Sequence, residues 1–215
     1  MSTNENSIAR DLKISFTIDV DCGLGDAWKS DGRIVTSKDA LISQGFEKGV
    51  HRFLSFMDEI QAKGTIFIVA GTAQKKEHKS ILREAEALGH EIASHTVTHQ
   101  KDFGRRCNSF IYNELSESKA MLEDITGVEV VGFRGPGYFI DESIYKSLSE
   151  IGYSYSSTVN PSIIYSIIKY LFGIHAKFYS KNPVDYPINW RNLFASNHPT
   201  LIACDNKEVQ SYCDH

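Results

Sequence analysis

The strongest constraint in this sequence is the regular alternation of short β-branched or aromatic runs with longer amphipathic stretches. The runs fall at residues 13–20, 65–69, 90–94, 128–133 and 153–157, and helical spacing occupies 45–63, 73–88, 109–125 and 141–151 between them. In the first amphipathic stretch Phe46, Val50, Phe53, Leu54, Met57 and Ile60 recur three and four apart, and Gly64, Gly89 and Gly127 mark three helix ends. Asp141 stands where an N-cap is expected. Strand and helix in alternation imply parallel pairing with right-handed crossovers, and such folds collect functional groups where strands end and loops begin. The 215 residues suffice for one α/β domain, expected over 13–200 between a disordered segment 1–12 and an atypical tail 201–215.

The first strand refines the architecture. In 13–20 (KISFTIDV) Ile14, Phe16, Ile18 and Val20 share one face, while Ser15, Thr17, Asp19 and then Asp21 share the other. A parallel strand covered by helices on both faces is apolar throughout; a polar second face fits helices outside and a polar cavity inside. The expected form is a distorted (β/α) barrel. After Pro199 the residues carry no clear βα unit, so either the barrel is incomplete at its C-terminus or the natural chain is longer.

Composition excludes several classes. Twenty-three Lys and Arg against 27 Asp and Glu leave a net charge of -4, which gives no broad positive field for nucleic acid. The opening residues contain no apolar core of the secretory kind, which leads to an expected cytoplasmic location. The apolar stretch 162–174 is too short to span a bilayer, and with Lys169 as its only charge it reads as a core-facing helix rather than a membrane-surface one. Peripheral membrane contact is not expected. Cys22, Cys107, Cys204 and Cys213 form no C-x-x-C pair and read as free thiols.

Three strand ends carry chemistry. Asp19 and Asp21, two apart on a strand, point the same way about 6 to 7 Å from one another, either as a solvated turn pair or as a pair in which one holds a cation while the other takes a proton. Ser94-His95-Thr96-Val97-Thr98-His99 follows the third strand. Fully extended, its imidazoles would stand about 13 Å apart, whereas a shared metal needs each nitrogen within roughly 2.1 Å. The spacing therefore predicts a helical turn over 96–98, against the β-branched propensity of Thr96 and Thr98. Asp21, His95 and His99 would then supply two nitrogens and a carboxylate and leave positions open for water and substrate, a set that serves zinc or non-haem iron. The fourth strand runs into Arg134-Gly135-Pro136-Gly137-Tyr138, a tight loop headed by a permanent cation able to orient a carboxylate.

Together T-I-D-V-D (17–21), S-H-T-V-T-H (94–99) and R-G-P-G-Y (134–138) resemble, in order, spacing and strand-end placement, the signature motifs of the polysaccharide deacetylases, carbohydrate esterase family four. The resemblance covers about residues 13–160. It implies a distorted (β/α) barrel and metal-dependent hydrolysis of an N-acetyl group from a sugar or glycan precursor. Asp21, His95 and His99 would be the metal ligands, Asp19 the general base toward water at the metal, Arg134 its orienting partner, and the Tyr138 backbone N–H an oxyanion donor. The divalent metal would be zinc, with cobalt, manganese, nickel or iron as alternatives.

Two departures bear on substrate and mechanism. Val20 separates the aspartates that are adjacent in many members, a form similar to that of members acting on nucleotide- or lipid-linked sugars and of related deformylases and imide hydrolases. No clear L-x-H motif provides a general acid, for His198 follows Ser196-Asn197 and His175 follows Gly173-Ile174. The alternatives are a deformylase or cyclic-imide hydrolase of the same fold, or a metal- or carbohydrate-binding remnant without turnover.

Overall fold

The computed structural model describes residues 14–21, 39–100, 102–159, 200–204 and 207–213. The elements are β1 (Phe16–Val20), α1 (Asp39–Glu59), β2 (Gly64–Ile68), α2 (Lys76–Ala87), β3 (Glu91–Ser94), α3 (Asn108–Thr126), β4 (Gly132–Phe133), α4 (Glu142–Ile151), β5 (Tyr155–Val159), β6 (Thr200–Cys204) and β7 (Lys207–Cys213). One sheet takes them in the order β1-β2-β3-β4-β5-β7-β6. Every pairing from β1 to β5 is parallel, as is β5 with β7, and β6 lies antiparallel to β7. Strands β1 to β5 form a curled half-barrel sheet backed by helices. The segment 201–215, set apart above as a tail, supplies most of β6 and all of β7.

Register sorts the side chains into two faces. Ile18, Ile66 and Ile92 align across β1 to β3 and join the core beneath the helices, with Phe46, Met57, Leu82, Leu115, Leu122 and Leu148. Each such buried side chain contributes on the order of 1.5–3 kcal/mol. The opposite face aligns Thr17 with Thr65 and Glu91, then Asp19 with Phe67 and Ala93. This is the polar inner face that the alternation of β1 predicts.

Several boundaries differ from the sequence reading, each for a local reason. α1 begins at Asp39 and ends at Glu59, with Gln61 in the left-handed region (φ 52°). Gly64 therefore does not stop the helix but opens β2, and its amide donates to His90 Nδ1 at 3.2 Å. The stretch expected as one helix over 73–88 divides into a 3-10 turn, Ala70–Gln74, and α2. β4 shrinks from the expected 128–133 to two residues because α3 side chains take the preceding backbone: Glu123 Oε1 accepts from Val130 N and Lys119 Nζ donates to Val130 O. Asp141 caps α4 as predicted, accepting from Ile144 N at 3.0 Å.

Among the described residues no helix is long and apolar enough to cross a membrane. Cys107 is exposed and free. Segment 1–12, Cys22, the stretch 162–174, His175 and His198 lie outside the described residues.

Candidate functional site

The site forms at the C-terminal ends of β1, β3 and β4. Asp21 follows β1, His95 follows β3, and one metal-binding atom from each of Asp21, His95 and His99 lies within 4.8 Å of the others. His95 Nε2 is 3.4 Å from Asp21 Oδ1 and His99 Nε2 is 3.6 Å from Asp21 Oδ2. The two imidazole centroids are 4.9 Å apart.

No helical turn brings them together. Thr96 and His99 both adopt left-handed backbone (φ 65° and 52°), with a bend at 97–98 between them. For a β-branched residue this is a strained conformation, held because the surrounding bonds determine it. Thr96 O accepts from Ala70 N at 2.9 Å, Val97 O accepts from Gly71 N at 3.0 Å, and His99 N donates to Thr96 Oγ1 at 3.1 Å. Gly71 is required by that approach, since a Cβ there would stand 2.6 Å from Val97 O. On the other side the loop's amides meet Glu114 of α3.

Hydrogen bonding and charge set the surroundings of the atoms that could hold a metal. His95 Nδ1 lies 2.6 Å from the Arg134 carbonyl oxygen, which can only accept, so Nδ1 carries a proton and Nε2 is the ring nitrogen turned toward Asp21. Burial above all, with the neighbouring His95 charge, lowers the His99 pKa against the pull of Asp21 and Asp19, which favours the neutral, ligating imidazole. Burial raises the Asp21 carboxyl, but His95 beside it and the charges of His95, His99 and Arg134 outweigh burial and leave it below the usual carboxylate range. Asp21 Oδ1 is buried with no hydrogen-bond partner. A buried carboxylate oxygen with no hydrogen-bond partner is costly by itself and satisfied by a cation. The residues thus fit a divalent metal, and the nitrogen and carboxylate donors suit zinc or another first-row ion.

Asp19 stands in a different environment. Arg134 Nη1 donates to Asp19 Oδ1 at 2.6 Å, its Nη2 reaches Thr17 Oγ1 at 3.1 Å and Ser157 Oγ at 2.9 Å, and its Nε donates to Ser157 O at 3.0 Å. The guanidinium also lies 3.9 Å over the Phe67 ring. A buried Arg with its fork so occupied holds Asp19 in one orientation. Thr17 and Ser157 were not singled out from the sequence; Thr17 shares the polar face of β1 with Asp19, which is a signal, whereas nothing in β5 marks Ser157. Tyr138 is left-handed (φ 57°), and its N–H donates within its own loop to Gly135 O at 3.2 Å.

Comparison with known proteins bears on the family and the fold. The sequence profile described as polysaccharide deacetylase matches residues 36–156, a span that begins after β1 and so omits Asp19 and Asp21. The chain is 25% identical over 126 residues to the peptidoglycan-N-acetylglucosamine deacetylase of Bacillus cereus, covering 55% of this chain and 56% of that protein. It is also 25% identical over 117 residues to a bifunctional xylanase/deacetylase of Pseudobutyrivibrio xylanivorans, covering 53% of this chain and 19% of the relative. The chain thus spans about half the length of the first relative and a fifth of the second. A crystal structure from Mycobacterium smegmatis, of a protein assigned to the polysaccharide deacetylases, superposes with TM-score 0.68 at 22% identity over 94% of this chain and 58% of that one. Puue allantoinase shares the fold at TM-score 0.58 and 19% identity, over 85% of this chain and 48% of that one. With more than half of its length matched by the family profile and its sheet of the family's (β/α) barrel type, the chain belongs to the polysaccharide deacetylase family.

Proposed function

We propose that this protein is a metal-dependent hydrolase that removes an N-acetyl group from a sugar or glycan precursor. The supporting observation is the convergence of Asp21, His95 and His99 beside an Asp19 that Arg134 holds separately. Family membership makes hydrolysis of an acetyl group the first chemistry to test. A divalent metal held by those three residues, zinc first, supplies a lowered pKa for water and polarises a carbonyl oxygen. Asp19 Oδ takes the water's proton as general base while Arg134 keeps that carboxylate aimed. The protonated Nδ1 of His95 is anchored on Arg134 O, so the imidazole cannot swing away. The Tyr138 N–H serves a developing oxyanion by exchanging its long bond to Gly135 O for the stronger charged acceptor. The spaced Asp19-Val20-Asp21 supports nucleotide- or lipid-linked sugars as the substrate class.

The test is acetate release by the full chain, loaded with zinc, cobalt or manganese, from a panel of N-acetylated sugars including nucleotide-linked ones. Asp19→Asn is expected to lose ~10²- to 10⁴-fold in rate while binding metal as the wild type does. Equal turnover in Asp19→Asn refutes the base assignment. Formate release or ring opening of an imide, with no acetate, replaces the deacetylase reading by another amide hydrolysis. Bound metal with no product from any substrate makes the chain a remnant.

A further inference from the structure

Glu114 sits on the apolar face of α3 between Ile111 and Leu115, only 6% exposed. A carboxylate so placed is expensive unless its oxygens are satisfied. Its partners all come from one place. Oε2 accepts from Val97 N and Thr98 N, both at 3.0 Å, and Oε1 accepts from Thr98 Oγ1 at 2.8 Å. These donors belong to the bend between His95 and His99. The bend's carbonyls are already tied to Ala70 and Gly71 on its other side. Glu114 is therefore the opposing clamp, and between the two the bend keeps two left-handed non-glycine residues that local propensity disfavours.

We infer that Glu114 is a positioning residue, whose carboxylate sets the bend that brings His99 beside His95 for metal capture. It does not touch the metal or the substrate. Without it two partly buried amides lose their acceptor, the bend relaxes toward ordinary backbone, and the spacing of the imidazoles is no longer fixed. The inference rests on Asp21, His95 and His99 as metal ligands, as proposed above.

The test uses the full chain with zinc or cobalt alone. Glu114→Ala is expected to weaken zinc binding ~10- to 100-fold, the range typical of supporting residues around a metal, and to change the visible spectrum of the cobalt form. In the metal-free protein the Val97 and Thr98 amides should exchange faster with solvent. Glu114→Gln should recover most of the affinity, since its carbonyl can accept both amides and its NH₂ can donate to Thr98 Oγ1. Ser118→Ala is the matched control: it removes a buried hydroxyl of the same helix, bonded to Ser94 Oγ at 2.8 Å, and should lower stability while leaving affinity and spectrum intact. Should Glu114→Ala fail to fold, Thr98→Val removes one of the three bonds and is expected to show a smaller loss in the same direction. The inference is overturned if Glu114→Ala, or Thr98→Val in its place, binds zinc like the wild type with an unchanged cobalt spectrum, or if Ser118→Ala reproduces the losses. A wild type that binds neither metal overturns the ligand assignment and this inference together, which is a distinguishable result.

Discussion

The inner face of the sheet carries polar groups at both ends, and the two ends are built on different terms. At the N-terminal end, Thr65 Oγ1 donates to Glu91 Oε2 and the Tyr155 hydroxyl to Glu91 Oε1, both at 2.8 Å, so each carboxylate oxygen has a donor. Burial first, and then the adjacent Glu91, raise the Tyr155 phenol above its ordinary value and keep it a donor. At the C-terminal end Asp21 Oδ1 is buried with none. Side chains of one chemical kind, on one sheet, thus form a closed network at one end and at the other a set that calls for a cation. The difference separates polar groups that hold the fold from the polar groups proposed to act.

The largest expected effect comes from removing the carboxylate at the open end. Asp21→Ala leaves two imidazoles and should cost metal affinity more than the ~10- to 100-fold seen for outer supporting residues, as measured by titration of zinc against a competing chelator. At the closed end Glu91→Gln should leave zinc affinity unchanged. Comparable losses in both variants would erase the distinction between the ends.

Tyr155→Phe sharpens the comparison from the other side. The lost donor leaves one Glu91 oxygen unsatisfied, a change worth about 1–3 kcal/mol, visible as a lower urea midpoint with unchanged slope. Metal binding should not move. A variant as stable as the wild type would mean that water replaces the phenol and that the closed end is less closed than its bonds indicate.

How much of this was legible in the sequence depends on distance along the chain. The alternation of β1 placed Thr17, Asp19 and Asp21 on one face, and strand-helix alternation gave the parallel order, because both are periodicities within a segment. The spacing of His95 and His99 suggested a shared ligand but the wrong backbone: β-branched Thr96 and Thr98 resist a helix, and the chain uses two left-handed residues instead. Glu114 carried a signal, a charge on a helix face otherwise set by Ile111, Leu115, Leu122 and Ile125. Ser157 carried none, since its meeting with Arg134 depends on how β4 and β5 align. The shortening of β4 likewise depends on Glu123 and Lys119 reaching across from α3, which no local pattern announces.

The smallest effect concerns His90, at the closed end, just before β3. Its Nδ1 accepts the amide of Gly64 at the start of β2, a bond that needs a bare lone pair. Burial and then the Lys63 ammonium lower its pKa, so the folded state disfavours the protonated ring. The unfolded chain titrates near the ordinary value of about 6.5. The folded value lies lower, so the stability His90 contributes is full above that pH and is lost as the pH falls through it toward the folded value, because the unfolded state then binds more protons. Wild-type stability should accordingly fall more steeply from about pH 7 to pH 5 than that of His90→Asn, whose side-chain carbonyl can still accept from Gly64. The proton is taken up on unfolding at the closed end, so the difference between the two proteins belongs to the denaturation curves; a matching difference in their zinc affinities would show that the two ends of the sheet are coupled.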